Sequence, residues 1–150
     1  MSASEGPEAS WLGILSGTGV TAIAGGLVGF AYYSMGALEP PKGSEEGFYQ
    51  FVWLLSSGLI LGIVPLMSIG FCAAWHGASV GADPEPLSMA PVWGVATGAV
   101  LGLSLGPFLG WGCGMVLGFP ITGGVMGFYG VLAGILGWEA GFFGSRLSAG

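Results

Sequence analysis

The chain of 150 residues carries charge on only 7% of its positions, with a net charge of −6 and a mean hydropathy of +0.81. Water-soluble domains carry about 25% charged residues, so this composition excludes a soluble domain and points to one integral membrane domain, residues 1–150. Lys42 and Arg146 are the only cations; this excludes nucleic-acid binding and a polybasic lipid-surface patch, which both need clustered Lys and Arg.

The opening MSASEGPEAS is polar and acidic, without the positive n-region of a signal peptide or the Arg-rich character of a transit peptide, so any targeting signal is expected to be internal. The first apolar span is predicted at residues 11–38, the second at 48–76, joined by the polar, Pro-rich EPPKGSEEG. A second polar connection, 77–90, precedes a long apolar stretch, 91–144. One helical crossing needs about 20 apolar residues, so this stretch suits two, predicted at 91–112 and 121–144. Their turn falls where glycines cluster and Phe119-Pro120 disfavours continued helix. The expected fold is therefore all-α: four transmembrane helices in two hairpins, with both termini on one side. Lys42 is the sole cation in a connection, so the positive-inside rule has little to count.

Glycine punctuates all four spans. Gly94, Gly98, Gly102, Gly106 and Gly110 stand on successive fourth positions of the third, and the series runs on through Gly114 and Gly118. The first has Gly13, Gly17, Gly25 and Gly29, with Thr21 in the gap; the second has Gly58, Gly62 and Gly70. The fourth has Gly123, Gly127, Gly130, Gly134, Gly137, Gly141 and Gly144, in steps alternating between four and three. Apolar burial does little to hold helices together in lipid, whereas small residues four apart let backbones touch. These glycines are thus expected to form GxxxG packing seams, a glycine zipper. Steps of four drift about 40° around a helix; a seven-residue repeat drifts only about 20°. The third helix is accordingly expected to be central and to meet several neighbours, and the fourth to offer one seam to one neighbour.

Candidate chemistry is sparse. Glu139, in GWEAGFF, suits a carboxylate snorkelling to the headgroups, with a proton or cation site as the sharper alternative. His76, in CAAWHG, reads as an interfacial residue beside Trp75 before it reads as a ligand. The topology sets Cys72 and Cys113 near opposite faces, so two free thiols are expected. Two cysteines and one histidine form no metal site of recognised spacing, and no nucleophile–base pair, phosphate loop or cofactor motif stands out. The expectation is no catalytic residue, no metal, no cofactor and no small-molecule substrate. Bound phospholipid and other membrane subunits are the companions that such a chain suits.

The run Thr97-Gly98-Ala99-Val100-Leu101, then Gly106-Pro107, Gly112 and Met115, resembles the third helix of the mitochondrial inner-membrane translocase (Tim) family. GTGVTAIAGGLVGF in the first span resembles that family's glycine-rich first helix, and Asp83-Pro84 its acidic turn before the third. The chain looks most like the branch that is an accessory subunit of respiratory complex I. Ala31-Tyr32 followed by Pro40-Pro41, and Cys72 and His76 followed by Asp83-Pro84-Glu85-Pro86-Leu87, carry that likeness. The resemblance covers about 100 residues.

Phe71 stands where translocase members carry an acid, Ser104 where they carry a helix-three arginine, and their basic residues after helix two are missing. The polar features that guide a charged presequence are thus lost, while the glycine scaffold is kept. The resemblance implies a non-catalytic structural subunit of a respiratory complex in the mitochondrial inner membrane, with termini and loop 77–90 in the intermembrane space. The alternative is a component of a protein-import translocase or a related envelope transport protein. A rotary-ATPase proteolipid would need a carboxylate near mid-membrane, and Glu139 sits too close to a helix end.

Overall fold

The computed structural model describes residues 10–34, 43, 47–83, 89–117 and 123–149. Every element among them is helical: α1 (Trp11–Ser34), α2 (Gly47–Gly58), a π-helical turn (Leu59–Ile63), α3 (Val64–Gly81), α4 (Ala90–Leu117) and α5 (Gly123–Ala149). With α2, the π turn and α3 forming one rod, Gly47–Gly81, four helices are long and apolar enough to cross a bilayer. These are the marks of a multi-pass membrane protein.

The π turn has a local cause. Pro65 lacks the N–H that would bond four residues back, and its ring crowds the carbonyl there. Val64 N–H instead donates to the Leu59 carbonyl, five residues back, which widens the turn and keeps the rod continuous. Pro107 also lies inside a helix, α4, which runs on through it to Leu117. Spanning helices tolerate such prolines because neighbouring helices, Ser and Thr side chains and local adjustments of the turn re-satisfy the freed backbone groups.

The predicted boundaries shift in three places, one of them the fourth span, expected to end at 144, where α5 continues to Ala149. The second span was expected to end at His76, but α3 continues to Gly81. Gly77 and Gly81 look like loop residues in isolation, yet they abut the carbonyls of Trp138 and Phe142 on α5. Packing overrides local propensity there. The third span runs to Leu117, beyond its expected end at 112; the connection that follows, 118–122, lies outside the described residues.

Contacts define the register. Gly13 lies against Ala78, Gly17 against Ala74 and Gly29 against Gly58, so α1 runs antiparallel to the second rod. Gly98 meets Gly134 and Gly102 meets Gly130, so α4 runs antiparallel to α5. Gly137 meets Gly70 and Gly141 meets Ala74, so α3 and α5 are parallel. Trp11, Trp75, Trp93 and Trp138 therefore share one end of the bundle, while Trp53 and Trp111 lie toward the other. Tryptophan collects at both membrane–water interfaces. Ser10 and Ser148 hydroxyls, 2.7 Å apart, join the start of α1 to the end of α5 at the first of those ends.

The expected roles of the third and fourth helices are reversed. α5 is the central helix, packed against α1, α3 and α4, whereas α4 lies chiefly on α5. The residue pattern explains this. Met126, Gly130, Gly134 and Trp138 form one row of strict fourth positions on α5, and that row faces α4. Gly137, Gly141 and Gly144 lie on an adjacent row that faces α3 and α1. The alternating four-and-three spacing is two rows of residues side by side, each facing a different neighbour. The winding four-step stripe of α4 follows the equally winding row on α5, as two i±4 rows do when their helices wrap together.

Candidate functional site

The residues expected to act are the packing glycines. A methyl group placed on Gly13 would lie 2.5 Å from the Gly141 carbonyl oxygen, and one on Gly17 2.5 Å from that of Gly137. On Gly25 it would meet the Gly62 oxygen and Ile63 Cα at 2.7 Å, and on Gly29 the Gly58 oxygen at 2.9 Å. Gly62 in turn faces the Gly25 carbonyl. On α4, Gly98 would bring its methyl 2.5 Å from the Gly134 oxygen; Gly102 faces Gly130, and Gly106 faces Met126 and Gly130. Ordinary van der Waals contact begins near 3.4 Å, so none of these sites has room for a side chain.

Other glycines of the set play different parts. Gly94 lies under the Trp138 ring and Gly110 under the Met126 side chain, where glycine makes room for a large residue. Gly127 sits at ordinary contact from Pro107, 3.5 Å to Cγ, and a methyl on Gly58 would meet nothing within 4 Å. The surroundings of Gly123 lie outside the described residues. Gly130, Gly134, Gly137 and Gly141 all abut neighbouring backbone. Three participants were not predicted: Gly77, Gly81 and Ala74, the last touching both Gly17 and Gly141. Counting alanine with glycine exposes the signal, because Gly70, Ala74, Gly77 and Gly81 then read as one small-residue row.

His76 does more than sit beside Trp75. Trp138 is 1% exposed, and its Nε1–H donates to His76 Nδ1 at 2.8 Å. That bond requires Nδ1 to be unprotonated, so the neutral imidazole carries its hydrogen on Nε2. The Trp138 ring also stacks on Phe142, centroids 5.4 Å apart and planes 12° apart, and the Arg146 guanidinium lies 5.7 Å from the Phe142 centroid. Gly94 brings α4 beneath the same ring. One tryptophan thus joins α3, α4 and α5. Nothing local marks Trp138 for this role; only the register places it.

Glu139 is half-buried on α5, and its Oε1 is buried without a hydrogen-bond partner among the described residues. Ser145 Oγ is likewise buried and unpartnered, whereas the buried Thr21 hydroxyl donates back to the carbonyls of Gly17 and Thr18. Cys72 is an exposed free thiol; the side chain of Cys113 lies outside the described residues. Among the described residues no three His, Cys, Asp or Glu side chains converge as a metal site would require. The large apolar residues between the α4 glycines, including Trp93, Val100, Leu103, Phe108 and Trp111, point outward. Compared with family models, curated proteins and solved structures, the chain matches none.

Proposed function

We propose that this protein is a non-catalytic structural and assembly subunit of a mitochondrial inner-membrane respiratory complex, in the manner of an accessory subunit of complex I. Its four helices form two hairpins held by GxxxG seams, and its termini and the connection before α4 face the intermembrane space. It works as a brace between larger membrane subunits and lipid. The sequence resemblance suggests the complex. The observation that carries the mechanical part is the division of each helix: glycine set against neighbouring backbone inside, aromatic and branched apolar side chains outside. An inner surface built this way is rigid because backbones have no rotamers to change, and the outer surface offers large apolar groups to a partner.

The test is gentle solubilisation of native membranes, native gel separation and identification of the co-migrating complex. The proposal expects migration with a complex that oxidises NADH. Migration with a presequence-binding complex would replace it with the translocase reading, and migration as a free monomer would remove both.

A further inference from the structure

One end of the bundle is held by a buried ring with a single polar catch. Ala73 of α3, Ala90 of α4 and Trp138 and Phe142 of α5 are buried together there. Gly94 of α4 lies against the Trp138 ring, the Trp138 carbonyl abuts Gly77 of α3, and Phe142 stacks on the ring. The indole therefore cannot turn without displacing α4. An indole N–H only donates, and this one donates to His76 Nδ1 at 2.8 Å. His76 is exposed, whereas Trp138 is buried. Trp11, Trp75 and Trp93 gather at the same end, as tryptophan does at a membrane–water interface, so the imidazole is within reach of protons from the aqueous side.

We propose that the His76–Trp138 bond is a proton-operated latch on the junction of α3, α4 and α5. Histidine is the side chain whose charge ordinarily changes between about pH 5 and 8. The neutral ring has one nitrogen that accepts; the cation carries hydrogen on both and accepts nothing. Protonation thus sets two donors against each other. The exposed imidazole swings away and leaves the indole N–H buried without an acceptor, which costs more than the bond itself is worth. The bond needs the neutral ring, so the latch is closed on the alkaline side and released on the acid side. Other ionisable groups stand on the packed elements. On α5, Glu139 follows Trp138, and the Arg146 guanidinium lies over the Phe142 ring. On α3, Cys72 precedes His76 by one turn, and Asp83 lies just past the helix end. Neither α1 nor α4 brings an Asp, Glu, Lys, Arg or His. The latch is a property of the packing and does not depend on which complex holds the protein.

The full chain, isotope-labelled at the indole nitrogens and held in lipid nanodiscs, supplies the test by nuclear magnetic resonance. Trp138→Phe identifies the Trp138 signal among the six indole N–H resonances, and contacts of its ring with Gly94 identify it independently in the unaltered chain. Between about pH 8 and about pH 5, that signal should move upfield as its hydrogen bond is lost. In dodecyl sulfate titrations over the same range, the folded-to-unfolded ratio should fall about threefold or more, the lower end for an interhelical hydrogen bond in membranes. His76→Gln supplies an amide oxygen that accepts and cannot titrate; it should hold the signal downfield and remove both changes. Cys72→Ser, Asp83→Asn and Glu139→Gln should each leave both changes in place. A Trp138 signal that stays put in the unaltered chain, a shift that survives His76→Gln, or one abolished by any of the other three substitutions would overturn the latch.

Discussion

Replacing Gly98 by alanine tests the packing argument where α4 and α5 touch backbone to backbone. The added methyl would lie 2.5 Å from the Gly134 oxygen, 2.6 Å from its carbonyl carbon and 2.8 Å from Ile135 Cα. All three are backbone atoms of α5, so no side chain can swing aside. Restoring 3.4 Å requires α4 and α5 to part by most of an ångström. Gaps of about 0.5–1 Å forfeit a quarter to a half of each dispersion well, and the loss would extend to the neighbouring Gly102–Gly130 and Gly94–Trp138 contacts. Overpacking of this kind costs about 1–3 kcal/mol, offset by at most about 1 kcal/mol of helix preference for alanine. The expected net loss is about 1–2 kcal/mol, or roughly 5–30-fold in the folded-to-unfolded ratio. Unfolding by sodium dodecyl sulfate in mixed micelles, followed by tryptophan fluorescence, measures it. Gly19→Ala is the matched control, because nothing lies within 4 Å of its methyl, and it should leave stability unchanged or raise it by up to about 1 kcal/mol through the same helix preference. Equal midpoints for the two variants would refute the reasoning.

Gly70→Ala drives its methyl into the buried Thr21 side chain, Cβ included; it should destabilise by about 1–3 kcal/mol, and Thr21→Gly in the same chain, but not Thr21→Ala, should recover part of the loss in the same titration. Trp138→Phe keeps a ring over Gly94 but removes the bond to His76. A double-mutant cycle with His76→Phe should give a coupling of about 0.6–1.7 kcal/mol, the range found for interhelical hydrogen bonds in membranes. A leucine at Gly130 meets Gly106 Cα, 2.9 Å from the first added carbon, and should abolish assembly into the native complex on a non-denaturing gel. Normal assembly of that variant would show that the α4–α5 seam is not needed for incorporation.

The membrane class was settled by composition, since no arrangement of so few charges could keep this chain in water. The span count followed from lengths measured against the bilayer, and the glycine stripes announced close helix contact because lipid leaves little else to hold helices together. What the stripes could not convey was which helix each one meets. The spacing on α5 admits either one seam or two adjacent rows, and only the packed bundle shows that Gly130 and Gly134 face α4 while Gly137 and Gly141 face α3 and α1. The continuation of α3 through Gly77 and Gly81 depends likewise on backbone supplied by α5, 60 residues or so along the chain. The Trp138–His76 bond joins positions whose local sequences say nothing of one another. Periodicity within a helix is a property of one segment, but register between helices is a property of two, and it exists only once both are packed.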